Sequence, residues 1–165
     1  MKKFFVGLFV LSIATAADAQ IDVFTIVGKK ADGVYQKVGF GGFIKYGFPV
    51  NNDADEITAE LALIGLDGYD LGFAPMKAGY RYTFNRTGYG FYIEPQVGYA
   101  IGGDYDETAN GFVGSANLGY LFQPWGSARF DLALRYENIF TSIGTYSFLG
   151  IRLAHNFSFG RRTEE

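Results

Sequence analysis

The sequence predicts an all-β protein, an eight-stranded antiparallel up-and-down barrel, on three observations. Apolar and polar residues alternate with period two in one stretch after another. Clusters of Gly, Pro, Asn, Asp and Ser separate these stretches at short intervals. The composition, with 23 Gly, 17 Phe and 12 Tyr in 165 residues, suits strands and turns rather than helices.

The amino terminus reads differently from the rest. MKKFFVGLFVLSIATAADAQ opens with Lys2 and Lys3, continues as a short apolar stretch over residues 4–14, and reaches a small-x-small site at Ala17, Asp18 and Ala19. That order predicts a secretory signal peptide over 1–19, cut after Ala19, and a single domain over 20–165. No later run is apolar for long enough to make a transmembrane helix. The chain has no Cys, so an exported domain of this size must be held by hydrogen bonding and packing alone. A net charge of −3 offers no basic surface for nucleic acid.

The strands follow in order. Residues 21–28 (IDVFTIVG) show the weakest alternation. In 35–50, Val38, Phe40, Ile44, Tyr46 and Phe48 stand against Lys37, Gly39, Gly41, Phe43 and Lys45. In 56–66, Ile57, Leu61 and Leu63 oppose Glu56, Thr58 and Glu60; in 73–85, Met76, Tyr80, Tyr82 and Phe84 oppose Lys77, Gly79 and Arg81. In 88–103, Tyr89, Phe91, Ile93, Val97, Tyr99 and Ile101 oppose Gly90, Tyr92, Glu94, Gln96 and Gly98. In 111–123, Phe112, Leu118, Tyr120 and Phe122 oppose Ser115, Asn117 and Gly119. In 128–138, Phe130, Leu132, Leu134 and Tyr136 oppose Arg129, Asp131, Arg135 and Glu137. In 146–159, Leu149, Ile151, Leu153, His155, Phe157 and Phe159 oppose Gly150, Arg152, Asn156 and Ser158. Ten strands would leave connectors of only a few residues, so eight fits better. Pro95 cannot donate to a ladder, which predicts a bulge or bend in the fifth strand.

Alternation alone does not tell which face is inside. Three facts turn the aromatic face outward. About sixteen large rings stand on the apolar faces, and an eight-stranded barrel is only just wide enough inside for ordinary side chains. The seven clear apolar faces carry no Asp, Glu, Lys or Arg, as a lipid-facing surface requires. Aromatic residues crowd the strand ends beside the turns NRTG and QPWGS, as in an interfacial girdle. A transmembrane barrel is therefore expected, the one β architecture that leaves no unpaired backbone in hydrocarbon. The alternative is a soluble periplasmic barrel, lipocalin-like, with the Phe and Tyr face enclosing an apolar ligand.

Three stretches carry a resemblance. KAGYRYTFNRTGYGFYIEPQVGYAIGG (77–103) and GYLFQPWGSARFDLALRY (119–136) look like strand–turn–strand units, and SFLGIRLAHNFSFG (147–160) looks like a closing strand. They resemble the small outer-membrane β-barrels of Gram-negative bacteria, the OmpA-like eight-stranded class and the outer-membrane porin family. The resemblance implies residence in the cell outer membrane, contact with lipid and lipopolysaccharide, a monomer, and both termini in the periplasm. Arg152, Phe157 and Phe159 are similar to the signal read by the barrel-assembly machinery, with Ala154 where that signal has Gly. The resemblance specifies fold and location better than function.

The inward face carries twelve charges: Lys37, Lys45, Lys77, Arg81, Arg129, Arg135 and Arg152 against Glu56, Glu60, Glu94, Asp131 and Glu137. Charges of both signs in a narrow lumen are expected to pair, because isolated ones would be costly there. They are expected to form a plug around Glu94, Arg129, Asp131 and Arg135, either static or gated. No cofactor or metal is expected: Asp104, Asp106 and Glu107 lack the spacing of a calcium loop. An enzyme is not expected either. His155, the sole His, has Ser158 three residues on, and the pleat sends the two to opposite faces. His155 reads instead as a substitute for a girdle aromatic. The expected role is structural, adhesive or weakly pore-forming.

Overall fold

The computed structural model describes residues 18–30, 33–51, 54–66, 72–103, 108–125, 128–142 and 144–158. Eight strands run in chain order: β1 (Asp18–Lys30), β2 (Gly33–Val50), β3 (Asp55–Leu66), β4 (Gly72–Thr83), β5 (Gly90–Gly103), β6 (Gly111–Trp125), β7 (Ala128–Thr141) and β8 (Gly144–Ser158). Each pairs antiparallel with the next, and β1 pairs with β8, which closes the barrel. Closure leaves no exposed ladder of unpaired N–H and C=O groups. Most of the signal-peptide stretch, Phe159 and the acidic loop at Asp104, Asp106 and Glu107 lie outside the described residues. The expected cleavage point after Ala19 falls inside β1, which is longer than the alternation over 21–28 indicated.

Strand length matches a bilayer. At a rise of about 3.3 Å per residue and a tilt of about 45°, the 14 residues of β5 reach roughly 33 Å along the barrel axis. That exceeds the apolar band of about 25 Å typical of such barrels.

Pro95 does not produce the expected bulge. The β4–β5 register runs from Gly79↔Gln96 to Tyr82↔Ile93 without a shift, and Pro95 pairs with Ala116 of β6 in normal register. The absent amide hydrogen is absorbed as a short gap in the ladder on the β4 side, where the backbone comes close to Gly79. A Cβ on Gly79 would stand 2.5 Å from the Pro95 carbonyl oxygen. Register shifts occur instead at the strand ends, between Gly28 and Lys30 and between Phe122 and Trp125.

The two faces are inverted relative to a soluble barrel. Val97 and Phe112 are more than 70 % exposed, and Phe91, Leu134 and Ile151 are also exposed, whereas Glu94, Asp131 and Arg152 are 0 % exposed in the lumen. The lumen face is not only charged and glycine-rich: Phe43, Phe73, Tyr146 and Phe148 turn inward with Ile64, Val113 and Ile139 and are buried. They fit because Ala62, Ala100 and Ala109 stand beside them, so large and small residues share the narrow cross-section.

Candidate functional site

Two tiers of buried side chains face the lumen, one ionic and one apolar. The ionic tier begins with the period-two pleat of seven adjacent strands, which sends every second residue inward. Lys45 of β2, Glu60 of β3, Lys77 and Arg81 of β4, Glu94 of β5, Asn117 of β6, and Asp131, Arg135 and Glu137 of β7 are all buried there. Arg152 of β8 completes the ring.

Glu94 is the hub. Its carboxylate accepts from Lys45 Nζ at 2.8 and 3.1 Å, from Thr58 Oγ1 at 2.9 Å, from Arg81 Nε and Nη2 at 3.2 and 3.1 Å, and from Gln96 Nε2 at 3.0 Å. Asp131 is a second hub. It accepts from Tyr92 Oη at 2.6 Å, Arg81 Nη2 at 2.9 Å and Arg152 Nη2 at 2.5 Å. Arg81 thus joins the two carboxylates, and its guanidinium lies 4.1 Å over the Tyr92 ring. Glu60 forms the third centre, with Lys77 Nζ at 2.9 Å and Arg135 Nη2 at 2.7 Å. Lys77 also pairs with Glu137, and Arg135 Nε donates to Asn117 Oδ1 at 2.9 Å. Glu94, Asp131 and Glu60 therefore each have more than one donor. Burying charge away from water is tolerable only on that condition.

Arg129 is half-buried near the turn end of β7, toward the periphery of the ionic tier, with its guanidinium 5.2 Å from the Tyr89 ring centre. Glu56 is likewise peripheral, reaching Arg81 Nη1 at 3.4 Å with its side chain 22 % exposed. Sequence reasoning did not single out Tyr92, Thr58, Gln96 and Asn117, the neutral residues that complete the network. Their place on the inward face was legible; their bonding partners come from across the lumen.

Phe43 joins the tiers. The guanidinium carbons of Arg135 and Arg152 lie 4.9 and 4.7 Å from its ring centre. On its other side begins the apolar tier, in which Phe73 packs against Tyr146 at 5.1 Å and Phe148 at 6.3 Å between ring centres. This tier draws residues from β2 through β8 and from Ala109 in the β5–β6 connection.

A separate cluster ties the turns at the opposite end. Asp55, fully buried, accepts from Asn51 Nδ2 at 2.8 Å, Tyr80 Oη at 2.9 Å, the Thr83 amide at 3.1 Å and Arg86 Nη1 at 2.6 Å. Asn51 and Arg86 have φ of 54° and 58°, a region non-Gly residues seldom occupy. One carboxylate holds both. His155 is half-buried and meets the Phe130 ring edge-on at 4.9 Å, in company with the aromatic residues of β6 and β7. Among the described residues, no group of three or more His, Cys, Asp or Glu is arranged to hold a metal ion.

No family model and no curated protein matches the chain. Solved structures do. The chain is similar to the Neisserial surface protein A, with 14 % identity, a TM-score of 0.63, and coverage of 86 % of this chain and 97 % of that one. It is similar to Ail, the attachment invasion locus protein of Yersinia pestis, with 16 % identity, a TM-score of 0.60 and the same coverage. It also matches Ail in complex with the heparin analogue sucrose octasulfate, with 14 % identity and a TM-score of 0.58. With its up-and-down topology, its outward apolar belt and these likenesses, the chain has the fold of the small outer-membrane β-barrel proteins.

Proposed function

We propose that the chain is an integral, non-enzymatic barrel of the cell outer membrane, exported by its signal peptide, whose interior is closed to solutes. Its role is then structural or adhesive and is carried by its outer surface and loops. The observation that carries this reading is the inversion of the two faces, with Val97 and Phe112 outward and Glu94 and Arg152 fully buried. A soluble lipocalin-like barrel would need the opposite arrangement. The two tiers support a closed interior: cross-lumen pairs brace the ionic one, and the buried side chains of the apolar one would oppose the passage of hydrated ions. Packing of His155 against Phe130 supports a girdle role over a catalytic one. The names of the similar structures, a surface protein and an attachment protein, support the adhesive side at the level of fold.

In this reading the barrel is a monomer surrounded by lipid and lipopolysaccharide. The assembly machinery would read Arg152, Phe157 and Phe159 before closure, since in the barrel Arg152 is buried against Asp131. Fractionation with gel electrophoresis tests the proposal. The expected result is recovery with outer membranes and heat-modifiable migration; a chain found soluble in the periplasm, migrating alike with and without heating, overturns it.

A further inference from the structure

Two of the four prolines stand inside strands, and both interrupt the pairing of β4. Pro49 and Pro124 lie next to strand ends. On one edge, the β3–β4 ladder stops between Leu61↔Met76 and Ile64↔Phe73, where Pro75 would have to donate to Ala62. On the other, the β4–β5 ladder stops between Gly79↔Gln96 and Tyr82↔Ile93, where Pro95 would have to donate to Tyr80. The β1–β2 ladder has a gap of the same length without a proline, between Ile21↔Ile44 and Phe24↔Gly41, but β1 and β2 are continuously paired on their other edges. Among the described residues, β4 is the only strand interrupted on both edges. In hydrocarbon no water replaces a missing ladder bond, so each gap weakens the wall at that point.

The same strand is held from inside. Lys77 pairs with Glu60 of β3 and Glu137 of β7, and Arg81 pairs with Glu56 of β3, Glu94 of β5 and Asp131 of β7. Together these two cations reach every inward carboxylate of β3, β5 and β7. At the β4–β5 gap the replacement is direct. Arg81 and Glu94 stand opposite each other in register, their backbones skip the ladder, and their side chains bond at 3.2 and 3.1 Å. Beside the β3–β4 gap, Lys77 meets its ladder partner Glu60 at 2.9 Å.

We propose that β4 is an ion-strapped seam, the strand at which the barrel wall opens first, held shut by Lys77 and Arg81 in place of part of its ladder. The proposal goes beyond the function above and takes its bilayer from that reading. Undoing the strap frees the edges of β4 while β7 and β8, whose shared ladder is continuous, stay closed. Such local opening depends on the bonds one segment must break, not on the stability of the whole barrel.

Amide hydrogen exchange of the full chain in lipid vesicles, read peptide by peptide by mass spectrometry, tests this. Lys77 and Arg135 form a matched pair, because both hold Glu60. Lys77 stands on the interrupted strand, and Arg135 stands on β7. Lys77→Met should speed exchange in β4 about tenfold or more and leave β7 within about twofold of the parent. Arg135→Met should give no comparable rise confined to β7. Pro75→Ala returns a donor to the β3–β4 ladder, and added to Lys77→Met it should remove most of the rise in β4. No rise in β4, a rise shared evenly by β4 and β7, or no rescue by Pro75→Ala overturns the proposal. Should Lys77→Met fail to fold, the parent decides. Its β4 peptides should exchange about tenfold faster than its β7 peptides, and Pro75→Ala/Pro95→Ala should close most of that difference. Equal exchange of β4 and β7 in the parent counts against the seam. Failure of the membrane reading shows separately, as a chain that does not float with the vesicles.

Discussion

Lys45 of β2 and Glu94 of β5 meet across the lumen at 2.8 Å, three strands apart around the barrel wall. Neither strand pairs with the other, so this contact spans the interior instead of adding to the ladder. Pairs of this kind lock the barrel cross-section, and each depends on both partners being present.

Removing one partner of such a pair strands a buried charge. Glu94→Gln leaves Lys45 and Arg81 without their common carboxylate. The expected loss is about 3–5 kcal/mol of unfolding free energy, read from urea unfolding in lipid vesicles. The double variant Lys45→Met/Glu94→Gln should recover part of that loss, since one stranded cation is gone.

Conductance separates the two tiers. Breaking ion pairs alone leaves the apolar tier of Phe43, Phe73, Tyr146 and Phe148 in place. Glu94→Gln should therefore remain silent in a planar bilayer. Phe73→Ala/Phe148→Ala combined with Glu94→Gln should admit discrete ion currents. Steady current from the parent chain would contradict a closed interior.

Tyr92 sits over Gly119, where a Cβ would approach the ring to 2.5 Å. Gly119→Ala must push the ring off Asp131, which it bonds at 2.6 Å. A loss of about 1.5–3 kcal/mol is expected, the range for a hydrogen bond to a charged group. Tyr92→Phe should lose a similar amount, and adding Gly119→Ala to it should lose less than the sum of the two, because both act on one contact.

The outward face can be challenged at mid-strand. Leu134 lies near the centre of β7 and is half exposed. Leu134→Arg should destabilise the barrel in vesicles by about 2–4 kcal/mol, the cost of a cation at the bilayer midplane. The same change at Phe84, beside the NRTG turn, should have a much smaller effect, about 0–1 kcal/mol, because the side chain lies near the interface.

Strand number and pairing order were legible because the period-two pattern recurs through β2 to β8, and the direction of the faces because aromatic bulk and the absence of charge mark one of them. The charges were legible as inward for the same reason. Partners were not. Lys45 could have met any carboxylate of the lumen, and it meets Glu94 through strand tilt and register, which no single strand's pattern encodes. The apolar tier was hidden by parity: Phe43 stands among Lys and Gly on the inward face of β2, and counting faces by majority passes over it. Asp55 looked like one more turn acid in NNDAD, and its role depends on Arg86, 31 residues later.

The central claim is the inverted barrel, and spin labels along one strand test it most directly. The chain has no Cys, so single cysteines at 132, 133, 134, 135 and 136 of β7 can each carry a label. In vesicles, the labels at 132, 134 and 136 should be relaxed strongly by oxygen, which concentrates in hydrocarbon, and those at 133 and 135 weakly. The opposite phase, or relaxation by a water-soluble nickel chelate at 132, 134 and 136, would contradict the account.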